Sequence, residues 1–226
     1  MQRTFLTLGA AAAVALPSAA IAAKPAHQGP SGGNQTPNLT LSASTDEVLA
    51  GRFVTLSGKL TGRDAGGRTI RLEADPYPLG DGYETVGRKQ TSSNGSYEIG
   101  VRPDRLTRYR TVAEGVPAAT SDPVDVVVRR RVTLRVSDRT PVRGQRVTFS
   151  GTIVPASAGK TVAIQRETRS GGWFTVARTV ARDAGSDLSE FSRSVRVRRG
   201  GVYRAKVPRD GALATGYSRT RTLTLR

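Results

Sequence analysis

Two stretches of the sequence share one pattern, Gly51-Arg-Phe-Val-Thr-Leu-Ser-Gly58 and Gly144-Gln-Arg-Val-Thr-Phe-Ser-Gly151. Apolar and polar residues alternate between the glycines, and a period of two is typical of a β-strand with one buried face. We expect the glycines to mark the ends of these strands. The residues predicted to face a core are Val54 and Leu56 in the first stretch and Val147 and Phe149 in the second.

Other motifs recur around these two strands at a similar spacing. Gly82-Tyr-Glu-Thr-Val86 is matched by Gly172-Trp-Phe-Thr-Val176, and Tyr109-Arg110 by Tyr203-Arg204. Turn signals recur about every 8–12 residues, and no segment shows the period of an amphipathic helix. The sequence therefore predicts an all-β protein with two tandem Ig-like β-sandwich domains of about seven strands each, at residues 38–128 and 129–226. We expect a short, stiff connection between them, because residues 124–132 contain no Gly or Pro.

The order G-x-x-V-T-x-S-G, a T-V-x-I/L-Q/E strand, a G-W/Y-x-T-V hairpin and Y-R resembles the Ig-like repeats of secreted actinobacterial proteins. Those repeats are similar in architecture to fibronectin type III and carboxypeptidase-regulatory-like sandwiches. The resemblance covers residues 39–226, and the first repeat adds the turn Thr91-Ser-Ser-Asn-Gly-Ser-Tyr97 that is typical of such modules. It implies a β-sandwich fold, export from the cell, and an accessory, spacer or adhesive role, but no particular activity.

The N-terminal residues have the features of an export signal. Arg3 precedes an apolar run from Phe5 to Leu16, and Ala20-Ile-Ala22 provides a small-x-small cleavage pattern. We interpret residues 1–23 as a signal peptide and residues 24–37, rich in Gly and Pro, as a disordered linker. The apolar run is shorter than the ~20 residues that span a bilayer, so no transmembrane segment is expected after cleavage. The predicted location is extracellular or cell-wall associated.

The charge of the protein is concentrated in its second half. The net charge of the whole chain is +17. Residues 38–128 contain 11 Lys plus Arg against 12 Asp plus Glu, a net of −1, whereas residues 129–226 contain 22 against 6, a net of +16. A composition bias toward arginine would act on both halves, so it does not explain this difference. A basic second domain favours an anionic partner, although a merely solvated surface is the alternative interpretation.

Cationic residues of the second half, most of them on the polar positions of their strands, are the candidate anion-binding residues, because a guanidinium binds phosphates and carboxylates in bidentate fashion. The candidates are Arg131, Arg135, Arg146, Arg166, Arg178, Arg196, Arg198, Arg204 and Lys206. Partners of this chemistry include teichoic-type wall polymers, phospholipid surfaces, acidic polysaccharides and extracellular DNA. A sequence-specific nucleic-acid reader is not expected, since most aromatic residues have core positions and few are left to stack on bases. The alternative function is a spacer or interaction module that contacts another envelope protein through a sheet edge or surface.

Few residues in the sequence could carry catalysis or hold a metal. There is no Cys, and the single histidine, His27, lies in the predicted linker, so a hydrolase triad and a transition-metal site are not expected. Oxygen ligands for calcium remain, with Asp75, Asp81 and Glu84 as a weak candidate set, although acidic residues in turns are also ordinary turn formers. The sequence predicts a non-enzymatic protein without a cofactor.

Trp173 is the one tryptophan and opens a predicted hairpin strand. An exposed indole could stack on a sugar or on a guanidinium, whereas a half-buried indole would cover the edge of the sandwich. The neighbouring residue, Phe174, has the core-facing position of the strand.

Overall fold

A computed structural model describes residues 36–226, and the predicted signal peptide, His27 and nearly all of the predicted linker lie outside these residues. The described part is built from strands and turns, with no helix. It accordingly contains no helix of the length and hydropathy needed to cross a membrane.

The first half of the described chain, residues 36–129, forms two sheets. Sheet A contains β1, β4, β2 and β7, and sheet B contains β3, β10, β8, β5, β6 and β9. The strands are β1 Asn38–Leu39, β2 Ser42–Ala43, β3 Glu47–Leu49, β4 Val54–Thr61, β5 Thr69–Pro76, β6 Glu84–Gln90, β7 Ser96–Val101, β8 Thr107–Ala113, β9 Ala119–Thr120 and β10 Val124–Arg129.

The second half, residues 130–226, forms two further sheets. Sheet C contains β11, β12, β13, β17 and β16, and sheet D contains β15, β14, β18, β19 and β20. The strands are β11 Arg131–Val132, β12 Arg135–Val136, β13 Arg146–Val154, β14 Thr161–Glu167, β15 Trp173–Val180, β16 Arg182–Asp183, β17 Ser189–Arg196, β18 Gly201–Val207, β19 Gly216–Tyr217 and β20 Arg221–Leu223.

In each half, two sheets enclose an apolar core. In the second half, Val147 and Phe149 of sheet C pack with Ile164 and Tyr203 of sheet D, and the Phe149 and Tyr203 ring centroids are 5.3 Å apart. In the first half, sheets A and B meet in the same way, with Val54 and Leu56 buried and Phe53 exposed. The predicted core positions of both repeated stretches are therefore confirmed, and the all-β fold is that of packed β-sheets of Ig-like sandwich type.

The second glycine of each repeated stretch lies inside a strand, so the expectation that it marks a strand end was wrong. Gly58 pairs with Tyr97 across sheet A, and Gly151 pairs with Phe191 across sheet C. A Cβ at Gly58 would overlap the Tyr97 ring and the Thr40 carbonyl, and a Cβ at Gly151 would overlap the Phe191 ring and the Thr133 carbonyl. Glycine is required here because an aromatic ring lies across the backbone, and close approach of this kind excludes any side chain.

One buried arginine lies where the two halves meet. Arg130 separates β10 from β11 and is only 1% exposed. Its guanidinium donates hydrogen bonds to Ser157 Oγ and to the carboxylate of Asp210. It also donates to backbone carbonyls in the loop that follows β18, at Pro208, Leu213 and Ala214.

The loop after β18 belongs by sequence to the second half but packs against the first. Leu213 is buried in the core of the first half, and Ala214 N donates to Val128 O at 2.8 Å. Leu106 N donates to Ala212 O at 2.7 Å. Residues 36–226 consequently lie within one compact unit.

Candidate anion-binding surfaces of the second half

The nine predicted cationic residues lie on three different surfaces of the second half. The strands of sheet C carry Arg131, Arg135, Arg146 and Arg196, those of sheet D carry Arg166, Arg178, Arg204 and Lys206, and Arg198 lies in the loop between β17 and β18. Arg166, Arg204 and Lys206 are half-buried, and the other six are exposed. The structure thus brings them together in smaller groups rather than on one continuous face.

On sheet C, two arginines lie side by side without a counter-ion. Arg146 of β13 and Arg196 of β17 are direct cross-strand neighbours. Like charges at such positions destabilise a sheet, because their side chains are only about 5 Å apart. Neither guanidinium has a carboxylate oxygen within 4.0 Å among the described residues. This pair is therefore available to an external anion.

A recess at the end of the second half gathers further arginines from three chain segments. Its volume is about 960 Å³, and Glu167 is its one acidic lining residue. We call it the end recess, and its arginines are Arg143, Arg166, Arg169, Arg198 and Arg199. Arg166 has the core-facing parity of β14, but it lies near the strand end, where it lines this recess.

Hydrogen bonds hold the loops around the end recess. Tyr203 Oη donates to Arg199 O at 2.7 Å, and Gly144 N donates to Val197 O at 2.7 Å. Sequence reasoning missed Arg143, Arg169 and Arg199, because strand parity gives no information about which loops meet at one end of a sandwich.

On the outer face of sheet D, Arg204 is stacked between two aromatic rings. Its Cζ lies 3.8 Å from the centroid of Trp173 and 4.3 Å from that of Tyr217. Arg204 Nε donates to Gln165 Oε1 at 3.0 Å, which fixes the plane of the guanidinium. Partial burial lowers the pKa of Arg204 from its ordinary value, although Tyr217 and Glu167 act in the opposite direction. The guanidinium is thus held in place and incompletely solvated.

Trp173 therefore stacks on a guanidinium within the protein itself. The indole is half-buried, as expected for a ring that covers part of a sheet. Its neighbour Phe174 pairs with Arg166 and is 59% exposed, so the expectation that Phe174 lies in the core was wrong. Its cross-strand partner Arg166 lines the end recess, so core-facing parity does not bury a side chain at this end of β15.

The arginines on the strands of the first half are paired with carboxylates. Salt bridges join Arg71 and Arg110 to Glu73, Arg88 to Glu114, and Arg108 to Asp125. Hydrogen bonds from the Arg108 guanidinium to Asp125 lower the pKa of that carboxyl group. Within residues 130–226, the salt bridges involve only Asp210, which binds Arg130 and Lys160 at the junction.

Three other acidic residues of the second half accept hydrogen bonds from backbone N–H groups. Asp138 accepts a hydrogen bond from Thr140 N, Asp183 from Gly185 N, and Asp187 from Ala156 N. The bond from Thr140 N lowers the pKa of Asp138, although burial opposes this shift. These carboxylates stabilise turns, so they do not neutralise the arginines of the sheet faces.

The candidate calcium residues do not converge. Asp75 is buried and accepts a hydrogen bond from Gly80 N through one oxygen, while Asp81 and Glu84 are exposed. Across residues 36–226, no three His, Asp or Glu side chains are arranged to hold a metal ion. Asp75 Oδ1 is buried without a hydrogen-bond partner in this part of the chain.

Arg130 is a further residue that sequence reasoning missed, and strand parity contained the signal for it. Val126, Val128, Val132 and Leu134 are all buried, and Arg130 continues their alternation at the centre of the series. An arginine at a core-facing position of an otherwise apolar strand predicts a buried guanidinium with acceptors supplied by the fold.

Comparison with known proteins finds similarity to solved structures alone. No protein-family model and no curated protein matches the chain. Among solved structures, the chain is similar to one described as the D0-D1 domain of intimin, at a TM-score of 0.30 and 9% sequence identity. The match covers 84% of this chain and 98% of that chain. A likeness at this level carries no argument about function.

Proposed function

We propose that this protein is an exported, non-enzymatic binding module of two tandem Ig-like sandwiches, in which the second binds an anionic envelope or extracellular polymer. The observation that carries the proposal is the distribution of counter-ions. None of the nine predicted cationic residues of the second half has a carboxylate oxygen within 4.0 Å among the described residues, whereas most first-half arginines on the sheets are paired.

Electrostatic repulsion between these residues favours the binding of an external anion. Unpaired arginines at cross-strand and loop positions repel one another, and this repulsion is relieved when an anion binds between them. A single small ion would satisfy one group only. The cationic residues of sheet C, sheet D and the end recess lie on separate surfaces, and a polyanion can contact several of them at once.

Retention of the full chain on an immobilised polyanion such as heparin tests the proposal. Replacement of Arg146 and Arg196 by Gln is expected to lower the salt concentration needed for elution, because ionic contacts weaken as screening increases. The matched control replaces Arg52 and Arg63, two exposed first-half arginines, by Gln, which removes the same charge. Equal losses in the two variants would place binding outside the second half. A wild-type protein that is not retained at low salt would refute the proposal.

One observation favours the alternative, a protein-interaction module. β15 is an edge strand of sheet D, and two of its apolar side chains, Phe174 and Val180, are 59% and 52% exposed. An uncovered edge can accept a strand from a partner protein. Capture of an envelope protein that persists at high salt and is abolished by Phe174→Lys would support this alternative.

A further inference from the structure

The outer faces of sheets B and D contain the same arrangement of an aromatic ring, an arginine and a polar acceptor. In sheet B, Glu73 pairs with Arg110 across β5 and β8, and in sheet D, Gln165 pairs with Arg204 across β14 and β18. A register shift precedes Glu73 and Gln165 alike. An aromatic ring covers each guanidinium at 3.8 Å, Tyr83 over Arg110 and Trp173 over Arg204.

In the first half, this arrangement contains its own carboxylate. Glu73 is 6% exposed, and its two oxygens accept from Arg71 Nε at 2.9 Å and from Arg110 Nε at 2.7 Å. Glu114 bridges Arg71 and Arg88 on the same face. Three arginines and two glutamates thus neutralise most of the charge of this surface.

In the second half, the geometry is kept but the charge is not balanced. Gln165 accepts from Arg204 Nε as Glu73 does from Arg110, but the amide carries no charge. Ala163 occupies the position of Arg71, and its cross-strand neighbours are Arg178 and Lys206. None of these three cationic side chains has a carboxylate within 4.0 Å in residues 36–226.

We infer that this face of sheet D binds a carboxylated polysaccharide, and that a ligand carboxylate supplies at Arg204 the negative charge that Glu73 supplies at Arg110. The inference rests on the proposed association with an anionic polymer and specifies its ligand and surface. A carboxylate is the ligand group because the first half shows one bound in the same arrangement. The Arg204 Nη atoms have no acceptor among the described residues, so they are free to bind it.

The neighbouring side chains fit a chain of acidic sugars. Trp173 and Tyr217 flank Arg204, and Tyr217 is 42% exposed, so aromatic surface lies beside the guanidinium for a sugar ring. Arg178 and Lys206 lie on the strands on either side of β14, about 10 Å apart at two strand spacings. Cationic residues spread over this width match successive carboxylates of a polymer rather than one ion.

The test is a titration of the full chain with galacturonate oligomers, followed by the fluorescence of Trp173, the only tryptophan, and by calorimetry. The critical variant is Gln165→Glu, which supplies the internal carboxylate that the first half has. We expect it to fold and to lose about tenfold or more in affinity, as for a lost charge-assisted hydrogen bond. The matched control is Gln90→Glu, which makes the same chemical change at an exposed position of β6 in the first half.

Each outcome decides the inference. Binding that changes Trp173 emission and is reduced far more by Gln165→Glu than by Gln90→Glu supports it. Equal effects of the two substitutions, or calorimetric binding without a change in Trp173 emission, overturn the site while the proposed function stands. Equal affinity for polyphosphate with the same sensitivity to Gln165→Glu overturns the assignment of a carboxylate ligand. Absence of binding to any polyanion refutes both proposals.

Discussion

Replacement of Arg130 by Met should destabilise the whole described unit, because this side chain joins the two halves. The guanidinium is buried and donates to Asp210, Ser157 and three backbone carbonyls. Asp210 also accepts from Lys160 at 3.0 Å and from Leu213 N at 2.9 Å. Burial opposes ionisation of Asp210, but these hydrogen bonds and the Arg130 charge outweigh it and lower its pKa. Methionine fills a similar space but leaves the carbonyls and the carboxylate without this partner.

The expected decrease in the free energy of unfolding follows from the structure. Removal of one member of a buried ion pair costs about 3–5 kcal/mol, because the other charge remains uncompensated. Asp210 is 28% exposed and keeps Lys160, so we expect the lower end of this range, about 3 kcal/mol. For a unit of this size, each kcal/mol lowers the melting temperature by about 2–4 °C, so the expected decrease is about 6–12 °C.

Thermal unfolding followed by circular dichroism and by Trp173 fluorescence measures this decrease. The matched control is Arg131→Met at the next residue, which is exposed and has no salt bridge among the described residues. It should change the free energy of unfolding by no more than about 0.5 kcal/mol. If the melting temperatures of the two variants agree within about 2 °C, Arg130 does not hold the junction as described.

Two further substitutions test the sheets themselves. Gly151→Ala places a Cβ against the Thr133 carbonyl and the Phe191 ring, and we expect the free energy of unfolding in urea to fall by about 1–3 kcal/mol. The control is Gly87→Ala, which should cause no loss because the space around Gly87 is open. Equal urea midpoints for the two variants would contradict the packing argument. Burial opposes ionisation of Glu73, but Arg110 and Arg71 outweigh it and lower the pKa of Glu73 below the ordinary 4.5. The ionised carboxylate therefore stabilises the fold fully above pH 4.5, and this stabilisation disappears as the pH falls through the lowered pKa. Glu73→Gln should therefore lose about 1.5–3 kcal/mol at neutral pH and show a weaker decline in stability on acidification, whereas parallel pH profiles for the two proteins would be evidence against this ion pair.

The sequence was sufficient for the alternation of buried and exposed residues along strands. Side chains on a strand point to opposite faces in strict succession, so Val54, Leu56, Val147 and Phe149 could be assigned to the core from their order alone. The uneven charge of the two halves was likewise fixed by composition. Both properties are local or additive, and neither depends on which strands become neighbours.

Predictions from the sequence were wrong for residues that are surrounded by distant parts of the chain. Gly58 and Gly151 were expected at strand ends, but each lies under a ring from a strand about 40 residues away, and local pattern contains no information about that ring. Phe174 has the parity of a core residue but remains exposed, because parity does not tell where the opposing sheet ends.

The candidate sites, too, were predictable from the sequence only in part. Sequence identified arginines on polar strand positions, but only the tertiary structure shows which of them have counter-ions and which meet in the end recess. The pairing of Arg110 with Glu73 and of Arg204 with Gln165 depends on strand register, which is set by contacts between strands more than 35 residues apart. What the sequence determined by itself is the β-strand pattern and the surplus of positive charge. The tertiary structure decided where that charge is balanced within the protein and where it lacks a counter-ion among the described residues, because ion pairing requires atoms to lie within a few ångströms of each other.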